Sequence, residues 1–253
     1  MAKKRLGQHF LSDPSILKRI AAAAEPGPDD LVVEIGPGHG GLTRILAGTV
    51  KKVIAIELDE TLCAKLRDAF ASFDNVEIIQ GDALEYPYEE LPEFKVAANI
   101  PYYITTPIIF RLLKSRQNLR SMTLTIQKEV AERIVAKPGG KEYGVLSIMV
   151  QYYAEPAMKF IIPGKAFRPV PKVDSAVLQI KVRAEPPFRV RNEERMFKIV
   201  KAAFSQRRKM LSNSLRSFRQ DVKAWLDKAG IDPARRPETL SLEEFARLAD
   251  TWE

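Results

Sequence analysis

The sequence predicts an α/β chain: a parallel, doubly wound sheet fills the first three quarters, and a small C-terminal all-helical domain follows. Three observations predict this. Four short apolar runs recur between residues 31 and 98, each ending in glycine or a polar side chain. A glycine-rich turn separates the first run from a helical pattern. Beyond Glu185-Pro186-Pro187, β-like runs give way to apolar stripes at helix spacing, so the expected division is residues 1–185 and 186–253.

Leu31-Val32-Val33-Glu34-Ile35 reads as a buried strand running straight into Gly36-Pro37-Gly38-His39-Gly40-Gly41 and then the helical pattern Leu42, Ile45, Leu46. Strand, glycine turn, helix is the order of a nucleotide-binding half-domain, the glycines letting backbone approach a ligand. A second strand from Lys52 to Ile56 ends at Glu57, placed to accept hydrogen bonds from two ribose hydroxyls. Asp59 reads as the N-cap of the helix starting near Glu60. A third strand, Val76 to Gln80, ends in Gly81-Asp82-Ala83, where an Asp could bind the amino group of an adenine ring. This much suits NAD as well as S-adenosylmethionine.

The fourth strand, Phe94 to Ala98, separates the two. It ends in Asn99-Ile100-Pro101-Tyr102. An Asn side-chain oxygen and the next backbone carbonyl can accept both N–H bonds of an exocyclic amine, while a Tyr ring covers the attached π-system. That pattern points to methylation of adenine. A hydride-transferring enzyme has no evident use for it.

Composition narrows the class further. The single cysteine, Cys63, excludes an intramolecular disulfide framework and a Cys-cluster metal site, and no metal is expected. No run of apolar residues is long enough to span a membrane, and the N-terminus lacks the apolar core of a signal peptide, so a cytoplasmic location is expected. The formal charge of +8 and pI near 9.5 suit a phosphate-rich partner. From Pro186 to Glu253 there are 15 Lys plus Arg against 10 Asp plus Glu, so this quarter carries +5 of the +8.

In that quarter Met196, Ile199, Val200, Ala203 and Phe204 form one apolar stripe. The stripe would continue at Arg207 and Arg208, so the helix is expected to bend, end or leave the core there. Met210, Leu211, Leu215 and Phe218 resume an apolar face; Asp221 to Ala229 reads as a helix closed by Gly230; Ser241-Leu242-Glu243-Glu244 resembles a capping box. Arg207, Arg208, Lys209, Arg216 and Arg219 could bind RNA phosphates or form a solvated helix face, and Lys3, Lys4 and Arg5 at the other end of the chain carry the same ambiguity.

Gly7-Gln8-His9-Phe10-Leu11, Val33 to Gly38, Asn99 to Tyr102 and the run Phe167-Arg168-Pro169-Val170-Pro171-Lys172-Val173-Asp174-Ser175-Ala176-Val177 resemble the ribosomal RNA adenine N6-dimethyltransferase family. The likeness spans nearly the whole chain. Gln127-Lys128-Glu129-Val130, Tyr143-Gly144-Val145-Leu146-Ser147 and Phe204-Ser205-Gln206-Arg207-Arg208-Lys209 are similar to its bacterial branch acting on small-subunit RNA. A related branch methylating large-subunit RNA and conferring macrolide resistance is the nearest competitor, since Ile100 and Ile104-Thr105-Thr106-Pro107 suit it too.

The resemblance implies a Rossmann-like class I methyltransferase sheet. It also implies successive transfer of methyl groups from S-adenosylmethionine to N6 of two adjacent adenines in a small-subunit hairpin loop, leaving S-adenosylhomocysteine. By motif, His9, Leu11, Gly36, Gly38, Glu57, Asp82 and Asn99 would meet the cofactor. Two positions depart from the family pattern: His9 stands where Asn is usual, and Ala98-Asn99-Ile100 replaces Gly-Asn-Leu. Asn99, Ile100, Pro101, Tyr102 and Phe167 are the catalytic set, with Tyr102 and Phe167 on opposite faces of a flipped-out adenine and packing under the proline-rich loop as the alternative for Phe167. Neither His9 nor His39 is assigned a proton-transfer role. The partner implied is rRNA within an immature small subunit, and the enzyme is expected to be a monomer. Glutamine methylation in a protein, DNA adenine methylation and a separable assembly-checkpoint role are the readings from other classes.

Overall fold

The computed structural model describes residues 9–252. Lys3, Lys4, Arg5, Gly7 and Gln8 therefore lie outside the described residues. The chain divides into two compact units. One holds the N-terminal part through Ala131 together with Pro156–Ala184; the other holds Glu132–Glu155 together with Glu185–Glu253.

In the first unit, β1 (Phe10–Leu11) precedes α1 (Pro14–Ala23), whose N-cap Asp13 accepts from the amides of Ser15 and Ile16. Strand and helix then alternate: β2 (Leu31–Ile35), α2 (Gly41–Ala47), β3 (Lys52–Glu57), α3 (Glu60–Ala69), β4 (Val76–Gln80), β5 (Phe94–Asn99), α4 (Thr105–Lys114) and β6 (Leu119–Gln127). After α5 (Lys128–Val135) and α6 (Val145–Tyr153) come β7 (Ala154–Ile162), β8 (Phe167–Arg168) and β9 (Ser175–Val182). The seven-stranded sheet runs β4-β3-β2-β5-β6-β9-β7, and β1 pairs separately with β8. The five strands from β4 across to β6 are mutually parallel, whereas β9 lies antiparallel to β6.

The apolar runs read from the sequence form the centre of this sheet. Val32, Val33, Val53, Val96 and Ala97 are fully buried, as strands covered on both faces require. Registers Ile35↔Ile56, Glu57↔Gln80 and Asn99↔Thr125 bring the carboxyl ends of the parallel strands to one edge. The order reverses between β2 and β5, which start their crossovers in opposite directions, and a crevice opens there. Asp59 caps α3 as expected, accepting from Thr61 (2.9 Å) and Leu62 (3.4 Å) amides. Cys63 is buried, as its place on the apolar face of α3 predicts.

The second unit is helical: α6, α7 (Glu193–Ser205), α8 (Leu211–Ser214), α9 (Val222–Lys228) and α10 (Leu242–Asp250). Helix α7 ends at Ser205, two residues before Arg207, where the apolar stripe breaks. Gly230, with φ +66°, closes α9, and Ser241 with Glu244 forms the expected capping box, at 3.1 and 2.8 Å. Tyr143, Ile148 and Tyr152 join Met196, Val200, Leu215, Trp225 and Phe245 in its core. The sequence offered no sign that residues 132–155 belong with this unit. Their apolar residues read equally well as more of the sheet domain, and only tertiary packing separates them.

Candidate active site

The site is built on backbone that residues with a side chain rarely adopt. Gly36 (φ +67°), Gly38 (φ +59°) and Gly40 (φ +77°) carry the turn from β2 into α2 through left-handed conformations. A Cβ at Gly38 would stand 3.1 Å from the Phe10 ring, and one at Gly40 would stand 2.6 Å from the Phe70 ring. The turn is pinned by Gly36 N–H to Ile56 O (2.9 Å) and Gly40 N–H to Pro37 O (2.9 Å). Three cavities adjoin it, and Gly36 lines all of them.

Beside the first cavity sit His9, Glu57 and the Asn99 to Tyr102 motif. Asn99, the last residue of β5, donates from Nδ2 to the carbonyl of His9 at 3.1 Å. That bond occupies the amide's donor side and leaves Oδ1 as an acceptor for a substrate N–H. Tyr102 bonds through its hydroxyl to Ser175 Oγ at 2.7 Å, which fixes the ring's attitude, and burial raises its pKa. The His9 ring packs against Tyr102 at 5.4 Å, and His9 Nδ1 donates to Pro169 O at 2.7 Å. The His9 side chain is thus held by protein, and its backbone carbonyl aims Asn99.

Phe167 departs from its expected place. Its ring is 0% exposed, packed with Leu17, Ile20, Leu46 and Val177 in the sheet's core, and β8 ties it to Leu11. Phe167 lines none of the three cavities and is packed in the core, the alternative that its place under the proline-rich loop left open. The position in a proline-rich loop gave no means to tell a buried anchor from a stacking partner.

The second cavity holds Glu57, Asp82, Leu84 and Tyr103. Asp82 is exposed and accepts the Leu84 N–H through Oδ1 at 2.8 Å. Glu57 accepts from Gly38 N–H (3.3 Å) and Asp59 N–H (3.0 Å), and burial raises its pKa despite these bonds. The third cavity reaches Leu11, Glu34 and His39. Glu34 is 2% exposed; burial, with only partial relief from the nearby Thr43 hydroxyl and with the Glu57 charge adding to it, pushes its pKa up to about 8. Its Oε2 has no hydrogen-bond partner.

This donor set fits S-adenosylmethionine. Two carboxylates at successive strand ends suit a ribose and an amino-purine, and a backbone cradle without Cβ atoms admits close approach. Sequence reasoning missed Glu34 as a cavity residue and Ser175 as the partner of Tyr102. Ser175 was visible only as part of a quoted motif, and a Glu inside an apolar strand was the available signal for the other.

In the second unit the five candidate cations differ. Arg208, Lys209 and Arg216 are exposed. Arg207 donates from Nη2 to Gly140 O at 3.3 Å. Arg219 is paired with Asp221, Nη2 to Oδ2 at 2.7 Å, and lies over the rings of Trp252 (4.9 Å) and Trp225 (5.6 Å).

Known proteins resemble this chain in sequence and in overall fold. The family model described as ribosomal RNA adenine dimethylase matches residues 1–253. A ribosomal RNA small subunit methyltransferase A from Moorella thermoacetica is 47% identical, covering 98% of this chain and 92% of the relative. One of the same name from Enterococcus faecalis is 46% identical, covering 99% and 90%. Among solved structures, a dimethyladenosine transferase from Plasmodium falciparum superposes with TM-score 0.81 at 28% identity, covering 95% of this chain and 96% of that one. The 23S rRNA methyltransferase ErmE gives 0.76 at 32% identity, covering 96% and 98%. The sheet is that of a class I methyltransferase.

Proposed function

Because the chain belongs to the ribosomal RNA adenine dimethylase family, we propose that it dimethylates N6 of two adjacent adenines in a hairpin loop near the 3′ end of small-subunit rRNA. The chain is an S-adenosylmethionine-dependent rRNA adenine dimethyltransferase. The single observation that carries the reading of the site is Asn99, held by the His9 carbonyl so that its Oδ1 is left to accept. Relatives at 43 to 47% identity share the small-subunit name, while the 23S enzyme stands at 32%, which favours the small-subunit substrate over the macrolide-resistance type.

S-adenosylmethionine, when bound, supplies a methyl group on a positively charged sulfur. The chain's own residues do the rest. Glu57 and Asp82 bind through their carboxylates, and Gly36 and Gly38 give the backbone its close approach. His9 and Leu11 close the crevice from the N-terminal side. A target adenine leaves its stack, lies against Tyr102, and presents its amino group to Asn99 Oδ1 and the Ile100 carbonyl. Those two oxygens orient the nitrogen lone pair and stabilise positive charge developing on nitrogen. Pro101 holds the turn between them and Tyr102. The N6 proton is lost after transfer, when the nitrogen has become acidic, so no general base is required in advance.

Arg208, Lys209 and Arg216, with Arg207 and Arg219 in supporting positions, bind phosphates of the rRNA. Residues 186–253 supply the basic face of this interaction, and residues 1–185 supply the chemistry. The particle recognised is an immature 30S subunit, met by a monomeric enzyme in the cytoplasm without a metal. No helix among the described residues is long and apolar enough to cross a membrane, in keeping with that location.

The test is transfer of labelled methyl from S-adenosylmethionine to unmethylated small subunits, with large-subunit RNA and duplex DNA alongside, followed by nucleoside analysis. Dimethyladenosine confined to the small subunit is expected, and Asn99→Ala should abolish it while leaving the fold intact. Label in large-subunit RNA instead would overturn the substrate assignment.

A further inference from the structure

The ten residues from Asp82 to Leu91 contain no strand and only one short 3₁₀ turn, Tyr88–Glu90, yet they carry the cofactor-facing Asp82 and Leu84. Its backbone bonds, such as Glu85 N–H to Asp82 O (3.0 Å) and Leu91 N–H to Tyr88 O (3.2 Å), close turns within the segment and tie it to no neighbouring element, which leaves that to side chains. The agent is Arg111, in the second half of α4. Its Nε donates to Leu84 O (3.2 Å), and its Nη2 donates to Tyr86 O (2.5 Å). The same guanidinium forms a two-pronged pair with Glu89, Nη1 to Oε1 at 2.5 Å and Nη2 to Oε2 at 2.8 Å. Nη1 also reaches Ser115 Oγ at 3.3 Å, and the group lies 5.1 Å over the Tyr88 ring.

One planar cation therefore holds three points of the loop at once, a use that the fork geometry of Arg permits and that Lys cannot reproduce. Asn118 secures the far end, donating from Nδ2 to Glu89 O (3.1 Å) and Leu91 O (2.8 Å). The near end is tied to the cavity: Asp82 Oδ1 accepts the Leu84 N–H, and the Leu84 carbonyl accepts from Arg111. Helix α4 begins directly after the Tyr102–Ile104 turn, so the same helix continues from the Asn99 to Tyr102 motif. The side chain of Arg111 itself lines none of the three cavities.

We propose that Arg111 is a positioning residue for the cofactor, holding the Asp82 loop against α4 so that Asp82 and Leu84 meet the adenine end of S-adenosylmethionine already in place. This rests on the cofactor site described above. Glu89 belongs to the device, because its carboxylate fixes the plane of the guanidinium; that same pairing holds the Glu89 carboxyl down to about 2, so the pair stays charged throughout the working pH range.

The experiment is calorimetric binding of S-adenosylhomocysteine to the wild-type chain, Arg111→Met, Arg111→Lys, Glu89→Gln, Asp82→Ala and the Arg111→Met/Asp82→Ala double variant, with steady-state methyl transfer in parallel. Arg111→Met should weaken binding about tenfold and raise KM for the cofactor alike, with kcat and KM for RNA within about twofold. Arg111→Lys and Glu89→Gln should fall between, and they carry the test if Arg111→Met does not fold. In the Asp82→Ala background the further loss from Arg111→Met should shrink below about threefold, since the group being positioned is gone. Unchanged affinity, an equal loss in RNA KM and kcat, or full additivity with Asp82→Ala would overturn the inference. A wild-type chain that fails to bind S-adenosylhomocysteine would overturn the site assignment and this inference with it, an outcome distinct from normal wild-type binding with unaffected variants.

Discussion

Replacing Glu34 by Gln should make the sheet unit more resistant to unfolding in alkaline solution than the parent. Burial raises the Glu34 carboxyl from 4.5 to about 8, and Oε2 finds no hydrogen bond to favour ionisation. The folded chain thus holds a proton that the unfolded chain releases near pH 4.5. The stability so gained is fully present below 4.5 and drains away as pH climbs through about 8. The gap between those two values, at about 1.4 kcal/mol for each pH unit, sets a ceiling of about 5 kcal/mol on the loss. Gln keeps the shape and cannot ionise, so the difference between the two proteins reports Glu34 together with its coupling to the Glu57 charge. Glu89, held to about 2 by Arg111, acts only in acid and with the opposite sign. Tryptophan fluorescence is the wrong probe: Trp225 and Trp252 both lie in the helical unit. Amide exchange of β2 and β3, compared between the two proteins at each pH from about 5 to about 9, reads the right region. Curves that run parallel across that range would refute the account, because they would mean that Glu34 titrates alike folded and unfolded.

Packing and charge elsewhere in the chain set three more outcomes. Gly40→Ala forces a side chain into a left-handed φ and against the Phe70 ring, and should cost about 2–4 kcal/mol in urea unfolding followed by far-ultraviolet circular dichroism. Phe167→Ala should cost about 3–5 kcal/mol of stability by emptying a core site, whereas Phe167→Leu should retain most of its turnover per folded molecule; a folded Leu variant without turnover would restore the ring to the chemistry. Neutralising Arg208, Lys209 and Arg216 should lower the slope of log affinity for rRNA against log salt by about one for each phosphate no longer neutralised, while an equal change at Arg219 should do less because Asp221 already balances its charge; equal slopes before and after would remove these residues from the interface.

The features legible in advance were those that depend on local rules. Four strand ends, the glycine turn, the Asp59 cap and the Ser241 box all follow from spacing that repeats over a few residues, and each appears where spacing puts it. The break in the α7 stripe at Arg207 was legible for the same reason. The points that spacing left open share another cause. Phe167 could be placed beside a proline-rich loop, but which way its ring turns depends on pairing with Leu11 of β1, at the opposite end of the sheet unit's sequence, and no local pattern encodes that pairing. Arg111 carried no signal at all. A cation in the last turns of an amphipathic helix is ordinary, and its partners Leu84, Tyr86 and Glu89 become neighbours only once β5 and α4 have folded back beside them.

The second unit is assembled from two lengths of chain separated by Pro156–Ala184. Tyr143, Ile148 and Tyr152 are part of its interior, so the tail beginning at Glu185 has an unfinished hydrophobic surface by itself. It is not a cassette that could be cut out, fused elsewhere or exchanged between relatives with its packing intact. During synthesis the segment from Glu132 to Glu155 leaves the ribosome early and must wait for the whole of Pro156–Ala184 before its partners arrive. Completion of the basic surface is thereby deferred until the last helix, α10, has been made, and the sheet that precedes it has already had the chance to close.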